Sequence, residues 1–160
     1  MLNIIASLSY ATLLLFAAPA QEPHKLIIDI PVTIEHADVA YNAGRLTWDK
    51  DTPFQLEELR LLATAHAAGA KGEMIAIFHG DSGYVLLNDE AYNKFRNTDT
   101  GNPYKETLIK LMAEELKLEE CGATAAENGW VNTDFLPGIK VNTNAMLRFI
   151  QLEEKGYIYI

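Results

Sequence analysis

One cysteine, Cys121, and four histidines are all that this 160-residue chain offers in the way of soft metal ligands and thiol chemistry. A single thiol closes no internal disulfide. His24, His36, His66, His79 and Cys121 fall into no HxxxH or CxxC spacing, so no metal site is expected. No GxGxxG, Walker-type or GxSxG pattern occurs, which leaves dinucleotide, nucleotide-hydrolase and serine-esterase chemistry without support, and no cofactor is expected. Positive charge is also scarce. Thirteen Lys and Arg face 22 Asp and Glu, for a net charge of −9. Lys71 and Arg148 stand alone instead of in a cluster, and a phosphate backbone would find nothing to bind. The first twenty residues contain no charged side chain at all. Their apolar run is short for a membrane span, and Ala18-Pro19-Ala20 is a small-x-small cleavage pattern. Residues 1–20 are therefore expected to be a signal peptide, with Gln21 first in the mature chain and a periplasmic or secreted destination. An uncleaved anchor is the alternative; after cleavage no membrane contact is expected.

The remaining stretch, 21–160, suits one domain with its own core. Asn102 to Gly129 organises the rest. Leu108, Leu111 and Met112 recur at helical spacing after Pro103, with Asn102 placed to cap. Leu116 and Leu118 then alternate with charged residues, which predicts a short strand ending at Cys121. Gly122 breaks it, and Thr124 is placed to cap a short helix through Ala125, Ala126 and Glu127. Upstream, LIIDI within His24–Pro31 predicts a buried strand carrying Asp29. The stretch to Pro53 has weak periodicity, with a short helix expected around Ala37–Ala43. Phe54, Leu56, Leu59, Leu62 and Ala63 predict a helix to Ala68. Glu73–His79 predicts a second strand, closed by Gly80. A turn at Asp81–Gly83 and a helix over Val85–Phe95 follow. Beyond Cys121 the pattern predicts a loop from Trp130, a strand over Ile139–Asn142, a helix over Ala145–Glu154 and a terminal strand over Tyr157–Ile160. Alternating strands and helices mean βαβ units and a largely parallel sheet.

Cys121 is the strongest functional candidate. A thiol at the carboxyl end of a strand, just before a helix, lies on the usual ligand side of an open α/β sheet, where helix N–H groups favour a thiolate. The competing reading is a small buried hydrophobe. Glu119 and Glu120 adjoin it and are expected to raise its pKa, although a strand places Glu120 and Cys121 on opposite faces. His79 ends a parallel strand too, as an acid–base group, a ligand contact or a loop histidine satisfied by backbone. Gly80, Gly122 and Thr124 border these two positions and complete the candidate binding set with Asp29 and Asn102, the latter also readable as a helix cap. Trp130 is a pocket wall or a packed ring, and Tyr157 and Tyr159 are either oligomer contacts or core.

Five features recur in a recognisable order: Phe78-His79-Gly80, Asn102-Pro103, Cys121-Gly122, Leu136-Pro137-Gly138, and the tail from Gln151 to Tyr157. In this order they resemble exported members of the DsrE/DsrF-like family, also called YchN-like, over Leu26 to Ile160. The resemblance implies a three-layer α/β/α sandwich with a mostly parallel sheet, assembled as a homotrimer or homohexamer. It also implies a sulfur carrier or sulfurtransferase-type protein, with Cys121 at the position of the persulfide cysteine and with a sulfur donor or acceptor as partner. Glu127-Asn128 stand where some sulfur-relay members carry a basic residue. A second function is a non-catalytic oligomeric module that binds a small molecule or a protein. Whether the chain is an enzyme is left open by the residues.

Overall fold

The computed structural model describes residues 26, 28–46, 48–49 and 52–160. The leader expected over residues 1–20 lies outside them. Residues 32–160 form one compact unit. Its centre is a five-stranded sheet of β1 (Val39–Ala43), β4 (Met74–Phe78), β5 (Lys117–Cys121), β6 (Lys140–Asn142) and β7 (Ile158–Tyr159). The strand order is β6-β5-β4-β1-β7 and every pairing is parallel. Two-residue strands β2 (Trp48–Asp49) and β3 (Thr52–Pro53) pair separately as a small antiparallel ribbon.

Alternation along the central strands sorts the apolar side chains onto two faces. Val39, Tyr41 and Ala43 of β1, with Met74, Ala76 and Phe78 of β4, join one cluster. Helices α1 (Phe54–Ala67) and α3 (Lys105–Ala113) cover that face through Leu56, Leu59, Leu108 and Leu111. Ala40, Ile75, Ile77 and Cys121 point the other way, into a smaller cluster with Ala145, Phe149 and Leu152. Those last three belong to α5 (Ala145–Glu154), the helix on that side. Burying Phe149 and Leu152 stabilises the docking of α5 by about 1.5–3 kcal/mol each. The result is the three-layer α/β/α sandwich expected from the sequence.

One strand is not where the apolar pattern put it. The described residues of the LIIDI stretch form no strand, and Leu26, Ile28 and Ile30 are exposed. The position beside β4 belongs instead to Val39–Ala43, where a short helix was expected. Its residues pair one for one with Met74–Phe78. Two alanines and an asparagine give this segment little strand propensity, and pairing with a fully buried neighbour overrides it. The helix expected over Val85–Phe95 also starts later. Residues Gly80–Leu86 form a 3-10 helix, and α2 spans Asp89–Arg96. Asn88 caps α2 by accepting from the Ala91 N–H at 2.9 Å, which stops the helix from extending upstream.

Candidate functional site

Four strands end side by side. Register places Phe78 beside Glu120, and Cys121 beside Asn142. His79, one step past Phe78, therefore lies level with Cys121, on the α5 side of the sheet. Asn42, at the level of Ile77 on β1, shares that face. This is the carboxyl edge of a parallel sheet, where strand ends stop and helix N-termini begin. Asn42, His79 and Cys121 line one cavity of about 400 Å³ with Phe149, Met146 and Tyr159.

Cys121 is the N-terminal flanking residue of α4 (Gly122–Asn128). Its Sγ also receives the Ala145 N–H at the start of α5, at 3.3 Å. The thiol thus sits where two helices begin. Burial pushes its pKa up. Hydrogen bonds from the Thr124 N–H, the Ala145 N–H, the Thr124 hydroxyl and the Ala123 N–H outweigh that effect, and the thiol ends below its ordinary value. The increase expected from Glu119 and Glu120 is thus not the net result. Glu120 points to the opposite face, against Gly83 of the 3-10 helix. Glu119 does share the thiol's face, but Arg148 neutralises it through Nε and Nη2, with contacts of 2.9 and 2.7 Å.

His79 has a different character. Burial holds its pKa below the usual imidazole range, so the ring is neutral at pH 7. Nε2 lies 2.8 Å from Asn42 Oδ1, while Asn42 Nδ2 donates to the Tyr159 hydroxyl at 2.6 Å. The ring packs edge-on against Phe149. A neutral, oriented imidazole lining the same cavity as a thiol of lowered pKa can take the proton that the thiol loses and return it to a sulfur leaving group.

The remaining candidates separate clearly. Gly80 and Thr124 are tied together, the Gly80 N–H donating to Thr124 Oγ1 at 2.9 Å. Gly122 is required by close approach, because a Cβ there would stand 2.4 Å from the Asn142 carbonyl oxygen. Thr124 lies inside α4, one turn after Cys121, instead of preceding the helix as its cap. Asn102 belongs to the opposite side of the sheet. It is buried, its amide donates to the Val85 and Leu87 carbonyls at 2.7 and 2.6 Å, and its Oδ1 accepts from the Tyr104 N–H. It fastens the start of α3 to the 3-10 helix. Asp29 is exposed and lies outside the 32–160 unit. Trp130 packs edge-on against Phe95 and Phe135. Among the described residues no three His, Cys, Asp or Glu side chains gather into a metal-binding group.

Sequence reasoning missed Asn42, Asn142 and the Ala145 N–H. Asn142 had a usable signal, since it closes an expected strand at the same edge as Cys121. Asn42 had none while β1 was misread.

Residues 49–160 match the DsrE/DsrF-like family. No curated protein matches the sequence. Two solved structures share the fold. One is a protein of unknown function, MTH1491 from Methanobacterium thermoautotrophicum, with a TM-score of 0.58 and 14% identity, covering 78% of this chain and 96% of that one. The other is the ychN protein from E. coli, with a TM-score of 0.55 and 14% identity, covering 77% and 96%.

Proposed function

The chain belongs to the DsrE/DsrF-like family, and from that premise we propose that it carries sulfane sulfur as a persulfide on Cys121. The observation that carries this reading is the thiol at the start of both α4 and α5, with its pKa lowered by the N–H groups it receives. In the reaction, the Cys121 thiolate attacks the outer sulfur of a hydropersulfide, R–S–SH. The donor's S–S bond breaks as the new one forms. The products are Cys121–S–SH and the thiolate R–S⁻, with no net oxidation. His79, neutral at rest, is the group placed to take the proton that the Cys121 thiol loses on forming the thiolate and to return it to the leaving R–S⁻. Delivery to an acceptor thiol reverses the step.

The same proposal includes export, on the strength of the apolar leader and its Ala18-Pro19-Ala20 pattern, and assembly into a homo-oligomer. Met146, Leu147, Ile150 and Ile158 leave apolar surface exposed on α5 and β7, two of them at the rim of the Cys121 cavity or beside it. An apolar rim suits a subunit contact. One observation favours the alternative of a non-catalytic binding module: Cys121 is only 5% exposed.

Alkylation separates the two readings. The iodoacetamide rate plotted against pH should show a midpoint below the usual thiol value of about 8.5. Thr124→Val removes one donor to Sγ, so its midpoint should rise and its rate at pH 7 should fall about threefold to tenfold. Thr124→Ser keeps the hydroxyl and should resemble the parent. A thiol that stays inert until the protein unfolds would make Cys121 a packing residue and leave the binding module as the better reading.

A further inference from the structure

We infer that a second cavity, between α1 and the edge formed by β1 and β7, binds a hydrophobic organic cation. The cavity is about 740 Å³, within the range of about 300–1,000 Å³ typical of small-molecule sites. It lies on the α1 side of the sheet, whereas the Cys121 cavity lies on the α5 side. Asn42 lines both. Its amide is committed to His79 and Tyr159, so it separates the two spaces.

The lining explains the ligand class. Leu61, Leu62 and Ala65 of α1, with Ile34 and Ile160, supply an apolar surface. Ala65 leaves room where a larger residue would fill the space. Glu58 is the one charged side chain of the lining among the described residues. The Tyr41 hydroxyl donates to its Oε2. A carboxylate has acceptor capacity beyond a single hydrogen bond, so an ammonium group has a partner there. An anionic head group would meet no Lys, Arg or His among the described residues of the lining. An alkyl chain ending in an amine satisfies both the apolar wall and the carboxylate.

The test is isothermal titration of the full chain with decylammonium and with decyl sulfate, each below its micelle-forming concentration. Decylammonium should bind one per chain, and decyl sulfate should not bind. Glu58→Gln should weaken decylammonium about fivefold, as for a partly exposed charge pair. Glu57→Gln removes the same charge from an exposed neighbour on α1 that lies outside the lining, and should leave binding unchanged. Ala65→Phe should abolish binding by filling the space. Cys121→Ser should bind as the parent does, which keeps this inference independent of the sulfur reading. The proposal is overturned by equal binding of decyl sulfate, or by equal weakening in Glu57→Gln and Glu58→Gln. It is also overturned if Ala65→Phe changes the oligomeric mass in sedimentation, since a second copy of the chain would then occupy the cavity. The contrast between Glu57 and Glu58 decides the matter even if Ala65→Phe fails to fold.

Discussion

Replacing Glu120 with Met should raise stability at pH 8 by about 3 kcal/mol and flatten its dependence on pH. Glu120 is fully buried near the end of β5, and neither carboxyl oxygen has a hydrogen-bond partner among the described residues. The space it occupies exists because residue 83 is glycine. A Cβ there would stand 2.5 Å from Oε1. Burial, with a smaller contribution from the charge of Cys121, pushes the Glu120 pKa to about 9 from an ordinary 4.5. The sign follows from proton binding. The folded state holds this proton far more tightly than the unfolded chain. The stabilising effect is therefore complete below about pH 4.5 and is lost as pH rises towards 9. Each pH unit costs up to about 1.4 kcal/mol, so the ceiling at pH 8 is nearly 5 kcal/mol. Relaxation around the carboxylate reduces that to about 3. Met has a similar volume and no proton to lose. Glu120→Gln should remove the pH dependence yet gain less, because a buried amide still lacks partners. Urea unfolding of parent and variants from pH 5 to pH 9 checks this. Parallel curves for the parent and Glu120→Met would contradict it.

Arg148→Met should cost about 3 kcal/mol and slow the Cys121 thiol. Arg148 and Glu119 form a pair whose side chains are 21% and 10% exposed. Without the guanidinium, Glu119 keeps only the Asn142 amide, at 3.0 Å. A carboxylate left unpaired in such surroundings costs several kcal/mol. It also sits two residues before Cys121 on the same face, so its uncompensated charge should raise the thiol pKa and reduce alkylation at pH 7. The double variant Glu119→Met/Arg148→Met removes the stranded charge. It should recover most of the lost stability and restore the thiol's reactivity. A double variant no more stable than Arg148→Met would show that the ion pair is not the cause.

Much of this fold is visible in the residues themselves. Ala145–Glu154 reads as a helix from its apolar steps, and α5 spans those residues, with Asn144 as its cap in the structure. Met74–Phe78 is apolar throughout, and the structure buries every residue of it. The strand ending at Cys121 was legible from Leu116 and Leu118 alone. β1 was not, because Ala40, Asn42 and Ala43 carry no strand signal apart from the neighbour they pair with. LIIDI misled for the opposite reason, since an apolar run says nothing about whether a partner exists. The site shows the same division. Cys121 and His79 could be placed at one edge because both end recognisable strands. Their interaction partners could not, since Asn42 reaches the site from β1 and the Ala145 N–H from the start of α5. The electrostatics of Cys121 also needed three dimensions. Strand alternation alone turns Glu120 away from the thiol, but nothing in the sequence shows that Glu119 is held by Arg148, 29 residues later.

The central claim is that Cys121 accepts sulfur as a nucleophile. The most direct test is the intact mass of the protein after exposure to a low-molecular-weight hydropersulfide, with Cys121→Ser treated in parallel. The parent should gain the mass of about one sulfur atom, lose it on reduction, and show no gain once the thiol has been alkylated. Cys121→Ser should gain nothing while keeping its fold by circular dichroism. An equal gain in Cys121→Ser, or an unloaded parent whose thiol reacts only after unfolding, would contradict the account.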